Sequence, residues 1–443
     1  MRKTFVFACA TLLADPAAAT TVLVNTLADD GSNACPATCT LRAAIASAAA
    51  GSEIRFAPVL TASATPDAPA KVALKGNELV VDKTLSIIGP ADGVLMVSGE
   101  HQSRVFHVTA GQVELANLRI ANGSVLGQAG GDAGGGGLRV ETSTTVSLIG
   151  CAFENNTASG GMGAPSGAGG GAYGGAIYSA GTLAIGSSSF TGNAATGGMG
   201  GMGTPSIFVP PAPPTPGGPG GPGGASVGGA IYLASGVMDA HNITVFDNTA
   251  TGGSGGPGGF GPLPGPPGPG GSASSGAVEG TTGTNLSLAF ATIAANLASA
   301  AVGQNAGVGG VTAPNASIRS SLLAANLRQV GGGSTSTANC SIASLSAAGA
   351  NLSSDASCTG FTLTNTAVAF KPGARVGGTW NLLPLRHSAV IDAAQDCTLP
   401  GGTLLTVDQG SLPRPMDGNG DGVAQCDLGA TEADYVFVDG MDG

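Results

Sequence analysis

The chain reads as all-β, wound into a single-stranded parallel β-helix, and three features of its sequence carry that reading. An apolar residue stands three places before an asparagine in five successive units: Phe153/Asn156, Phe190/Asn193, Val245/Asn248, Ile293/Asn296 and Leu323/Asn326. A glycine-rich word opens each unit, at Gly136-Gly137, Gly174-Gly175, Gly228-Gly229, Gly276 and Gly309-Gly310. Between an asparagine and the next glycine word the length varies freely, while the core of the unit does not. That pattern puts every insertion on one edge of a stacked solenoid.

The first element is a targeting segment. Arg2 and Lys3 precede an apolar run from Thr4 to Leu13, and Ala17-Ala18-Ala19 supplies small residues for cleavage, so residues 1–19 read as a secretory signal containing Cys9. No later segment is apolar for long enough to cross a bilayer as a helix. Residues 20–78 form an N-terminal cap, in which Leu41, Ala44, Ile45 and Ala48 share one face of a short helix between Thr40 and Ala50, stopped by Gly51.

Residues 79–361 form the β-helix, roughly eight coils counting the degenerate units at Leu79 to Ile88 and Val105 to Ile120. Period-2 spacing assigns Val146 and Leu148, Leu183 and Ile185, Met238 and Ala240, Leu286 and Leu288, and Ala316 and Ile318 to inward columns. The five asparagines, Asn156, Asn193, Asn248, Asn296 and Asn326, fit a turn ladder in which each side chain bonds its neighbour and the turn backbone.

The insertions Gly197 to Gly224 and Gly252 to Gly271 carry no charge, and their composition is that of disordered spacer. The alternative is a contact edge built from Met199, Met202, Ile207, Phe208, Val209, Phe260 and Leu263. Residues 362–443 form a C-terminal cap and tail, expected to cover the last coil and its unpaired strand edge. Six cysteines allow fifteen connectivities, of which nearest-neighbour pairing (Cys35 with Cys39, Cys340 with Cys358, Cys397 with Cys426) is the simplest. Cys151 occupies an inward column as a small hydrophobe.

The chemistry is sparse. A formal charge of −11 repels phosphate, so nucleic acid is not a partner. Between Arg139 and Arg319 there is no lysine or arginine, and the acids are Glu141, Glu154, Asp239, Asp247 and Glu279. A lyase needs a base and a glycosidase needs two carboxylates on one groove, so no catalytic residue is assigned. Asp239 and His241 are the one candidate pair, sharing the outward face of their strand. Trp380 and four tyrosines offer little stacking surface for sugars. Asp417, Asn419 and Asp421, with Gly422 after them, copy the start of a calcium loop. Leu428 stands where its glutamate belongs, leaving Asp427 or Glu432 as the substitute ligand.

Thr21-Val22-Leu23-Val24-Asn25 followed by Cys39-Thr40-Leu41-Arg42-Ala43-Ala44-Ile45 resembles the CSLREA-type opening of bacterial surface β-helix proteins, with Thr for Ser and Ala for Glu. The tail from Asp417 through Cys426-Asp427-Leu428-Gly429-Ala430-Thr431-Glu432 resembles the end of the choice-of-anchor Q group. The words at Gly174 to Tyr178, Phe153 to Asn156 and Phe190 to Asn193 are similar to repeats of chlamydial polymorphic outer-membrane proteins. The resemblance implies a right-handed parallel β-helix exposed outside a bacterial cell, among relatives that adhere to host cells. Only eleven residues follow Glu432, so no autotransporter barrel is expected.

The expectation is therefore an exported protein, extracellular or at the cell surface or outer membrane. Its role would be non-catalytic adhesion or envelope structure, with a cell-surface glycan or protein as partner and calcium as the one candidate cofactor. The alternative is a polysaccharide lyase or glycoside hydrolase of the same fold.

Overall fold

The computed structural model describes residues 20–30, 35–371, 373–376 and 378–433; the signal segment at 1–19 lies outside them. The chain is a parallel β-helix whose coils contribute strands to three columns, the second running through Arg119–Ala121, Ala152–Glu154, Ser189–Thr191 and Leu322–Ala324 and the third through Phe106–Val108, Leu138–Val140, Ile177–Ser179 and Ile231–Leu233. Two lateral stacks of seven and five strands lie beside them. The first column stacks ten strands in parallel, among them Thr21–Val24, Ser52–Phe56, Leu85–Ile88, Gln112–Ala116, Thr145–Ile149 and Thr182–Gly186, and it ends on Cys340–Ala348. Eight of them lie at or beyond Leu85, and the other two extend the stack into the region read as N-terminal cap. The register sets Leu148, Ile185, Ala240, Leu288 and Ile318 in one row, each 1% exposed or less. Phe153 and Phe190 stack in the same manner, with centroids 5.0 Å apart.

Single residues in the left-handed region turn the corners. One corner carries Asn117, Gly150, Ser187, Asn242, Phe290 and Ser320, and another carries Asn155, Gly192, Asp247, Ala295 and Ala325, each just before a ladder asparagine. The ladder is present: Asn156, Asn193, Asn248 and Asn296 each donate Nδ2 to the Oδ1 of the next asparagine over 2.8–3.0 Å. It runs one member further than expected, from Asn326 to Asn339 over 2.8 Å. The glycine words stack Gly136 on Gly175 and Gly137 on Ala176, so the sequence alignment of Gly136-Gly137 with Gly174-Gly175 is shifted by one residue.

The helix Leu41–Ser47 is N-capped by Thr40, whose Oγ1 accepts from the Ala43 N–H over 3.0 Å, and its Leu41, Ala44 and Ile45 enter the core. No helix among the described residues is long and apolar enough to cross a membrane. The three disulfides join Cys35 to Cys39, Cys340 to Cys358 and Cys397 to Cys426, while Cys151 is buried and free.

The disulfide-tied C-terminal region meets the last coil only at its start, through Thr362 and Leu363, and mostly covers the flank of the solenoid. Leu363 bridges Leu352 in the second column, and the chain then runs back down the flank of the stack. It touches Arg319 through Asp396, Thr292 through Ala430, Thr244 through Gln409, Ser189 through Trp380 and Glu154 through Arg375. The reason lies in the second column, whose outward residues Ala152, Ala294, Leu322 and Ala324 are apolar and need cover. A second core forms there from Phe290, Leu322, Ala324, Val390, Ile391 and Leu428. Among the described residues, Cys340–Ala348 pairs along one edge only.

The insertions are ordered, contrary to the spacer reading. The runs 160–163, 167–171, 197–203, 217–224, 252–259 and 265–271 lie side by side in two layers. Gly197, Gly200 and Gly203 donate to Thr251, Ser254 and Pro257 within one layer, and Gly198 and Gly201 donate to Gly170 and Gly167 across to the other. Donation with period three is the geometry of a left-handed helix with three residues per turn, which has no internal hydrogen bonds and so bonds to its neighbours. Glycine is obligatory at the contacts, since a Cβ on Gly221 would lie 1.8 Å from the Gly167 carbonyl oxygen. The composition that signals disorder in isolation makes a dense blade when six such runs stack.

Candidate functional site

Two surfaces stand out. The first is the blade. Its residues 160–172, 196–226 and 251–272 contain no ionisable side chain, in a chain of formal charge −11. The third position of each Gly-Gly-X step faces outward, which aligns exposed Met162, Met199, Met202 and Phe260 on one side. The tip carries Ile207, Phe208, Val209 and Leu263, and Phe208 and Val209 are 54% and 65% exposed. Ser206 pins that tip: its N–H donates to the Phe260 carbonyl over 2.7 Å, and its Oγ donates to the Thr215 carbonyl over 2.6 Å. The contact-edge residues named from sequence thus lie on one hydrogen-bonded support.

The second surface was missed by sequence reasoning. The outward residues of the third column, His107, Arg139, Tyr178, Tyr232 and Glu279, stand level in consecutive coils. The Arg139 guanidinium lies 4.5 Å over the Tyr178 ring, and Tyr178 and Tyr232 are 5.5 Å apart. Tyr173, on the lateral strand Ala172–Tyr173, comes across the corner to within 4.9 Å of Tyr232. Arg139, Tyr173, Tyr178 and Tyr232, with Asp132 and Gly134, line a groove of about 420 Å³. Burial, with the neighbouring phenols and carboxylates, pushes the Tyr232 hydroxyl up to about 12, and burial raises the Glu279 carboxyl to about 7. Below the groove His107 bridges Glu78 (Nδ1, 2.8 Å) and Glu141 (Nε2, 2.9 Å), which raises its pKa, the Glu78 bond contributing most. The signal was in the repeats: Arg139, Tyr178 and Tyr232 occupy one place in the glycine words, and a residue total of four tyrosines hid their convergence.

Asp239 and His241 do share the outward face, but they stand alone on it. Their neighbours in register are Ala184 and Ser287 for Asp239, and Gly186 and Ala289 for His241. Burial lowers the His241 pKa despite the opposing charge of Asp239. Glu154 is held by Arg119 and Arg375, and Asp247 sits exposed on a corner.

The residues of the candidate calcium loop separate. Asp417, Asn419 and Asp421 form one exposed turn whose carboxylates accept its own N–H groups: Asp417 from Gly420 and Gly422, Asp421 from Val423. Asp427 is turned away and buried, accepting from the Asp392 and Ala433 N–H groups, each over 2.7 Å, and burial raises it to about 8. Its place is the hub of the C-terminal region, beside the buried ion pair of Arg414 and Glu432 at 2.9 Å. Asp392, not Asp427, reaches the turn, accepting from Gly418 and Asn419. Among the described residues no three His, Cys, Asp or Glu side chains converge as a metal site.

No family model matches the chain, and no curated protein matches it. Among solved structures, pectate lyase Pel9A is similar, with 14% identity, a TM-score of 0.34, and coverage of 94% of this chain and 96% of that one. A likeness of that size carries no statement about chemistry.

Proposed function

We propose that this is an exported β-helix protein displayed at a bacterial surface, where it serves as a non-catalytic adhesin and the glycine-rich blade is its contact edge. The observation that carries the reading is the blade itself: an ordered, uncharged projection with an apolar ridge and tip exposed to solvent. Monomeric proteins seldom expose contiguous apolar surface without a partner for it. Absence of charge on the blade lets it approach anionic cell surfaces that the −11 chain as a whole would resist. Three disulfides support an oxidising compartment.

The polysaccharide-cleaving alternative is less well supported, because Glu154, Asp239 and Glu279 each stand level with non-acidic residues in both adjoining coils. Cell fractionation with surface protease accessibility tests the reading. The protein is expected outside the inner membrane and open to added protease. Recovery in the cytoplasm with reduced cysteines would overturn it.

A further inference from the structure

We propose that the corner groove framed by Arg139, Tyr173, Tyr178 and Tyr232 binds a neutral polysaccharide chain lying along the solenoid axis, as a second contact independent of the blade.

The fold does not require these side chains. In the same outward row, other coils carry Val80 beside His107 and Thr312 beside Glu279, and their strands pair in the same register. The tyrosines are therefore an addition to the face, and they are concentrated: in a chain that is 4% aromatic, Tyr173 and Tyr178 stand 4.9 and 5.5 Å from Tyr232. Their arrangement is open to a ligand because the lateral wall is backbone. A Cβ at Gly134 would stand 2.7 Å from Tyr178 Cδ2, so glycine lets the wall approach the ring while leaving the corner unfilled.

The chemistry selects a neutral, hydroxyl-rich ligand. Phenol rings present apolar surface with a hydroxyl at the rim, the combination that meets the mixed faces of a sugar ring. Asp132 offers an acceptor and Arg139 a donor in the lining of the groove, and Glu279 stands level with Tyr232 one coil further on. Arg139 is paired, its Nε donating to Glu141 over 2.6 Å, and the Asp132 carboxylate lines the same groove, so the groove offers no unpaired guanidinium to prefer a uronate or phosphate. Successive coils repeat the row about every 4.8 Å, so Arg139 to Glu279 spans roughly 14 Å, a ladder suited to a chain of repeating units rather than to one small molecule.

Affinity electrophoresis of the full chain tests this, in gels containing xylan, galactomannan or mixed-linkage β-glucan, with polygalacturonate as the anionic comparison. At least one neutral polymer is expected to retard the protein. Tyr178→Thr and Tyr232→Val, which place in the row residue types already found in it, should weaken retardation about tenfold with the melting temperature preserved. Tyr232→Phe should retain part of it, and Val59→Ser, an exposed position outside both surfaces, should leave it intact. Retardation by none of the neutral polymers, by polygalacturonate alone, or equally in the folded tyrosine variants would overturn the proposal. Surface localisation is read separately, so failure here leaves the adhesin reading standing, and the converse holds.

Discussion

Arg375 and Glu154 stand 221 residues apart in sequence and are joined by an ion pair in which Nη2 donates to Oε2 over 2.8 Å. Arg119 completes the group from the adjoining coil, its Nη2 3.1 Å from the same oxygen. Glu154 is 7% exposed at its side chain, so the pair is a buried latch that fastens the C-terminal flank to the solenoid.

Glu154→Ala leaves two arginines without their carboxylate, which should cost about 3–5 kcal/mol. The expected readout is early tryptic cleavage within residues 362–433 while the central coils stay protected. Cleavage at the wild-type rate would contradict the clasp.

Ile185→Asp or Leu288→Asp places an unpaired charge in a row that is at most 1% exposed, so either should abolish a cooperative thermal transition. Asn248→Ala is milder. It strands the Asn193 donors and should cost about 1–3 kcal/mol by urea titration. Wild-type stability in all three would show that the columns are misassigned.

The His107 bridge predicts a pH dependence. Its folded pKa is raised, so its stabilisation is full below the unfolded value of about 6.5 and fades as pH rises through the folded value. Glu78 is lowered, chiefly by the same hydrogen bond, so its share fades instead as pH falls below about 4.3. The melting difference between wild type and His107→Gln should be largest near pH 5–6 and shrink by about pH 9. A difference constant over that range would remove the bridge from the account.

Gly221→Ala cannot fit beside the Gly167 carbonyl, so it should release the blade without unfolding the coils. Hydrogen exchange would show lost protection at Gly198, Gly201 and Gly224 amides with the Leu288 row unchanged. Pro219→Ala, at an outward position, serves as the neutral control. Unaltered protection in Gly221→Ala would return the insertions to plain spacer.

The columns, the asparagine ladder and the capping helix were legible because each rests on local period and turn chemistry. Ile185 and Leu288 lie inside, as their parity requires, and Thr40 caps the helix that precedes Gly51. The blade was not legible, since a Gly-Gly-X run acquires structure only from five neighbours like itself. The clasp was hidden for a related reason: Leu322 and Ala324 are apolar on the outward parity, a sign of burial on both faces, but which segment covers them is a long-range fact. The tyrosine groove needed register across coils: Tyr178 and Tyr232 align in the glycine words, but a one-residue shift displaced Arg139, and Tyr173 reaches them only around a corner.

Binding of purified full-length protein to a panel of cell surfaces, compared with the Phe208→Ser/Phe260→Ser double variant, tests the central claim most directly. Wild type should bind, and the variant should melt alike yet bind about tenfold or more weakly, because the changes remove one exposed apolar anchor from the tip and one from the ridge, neither of which the core needs. Equal binding by the folded variant, or no binding by wild type to any surface, would contradict it.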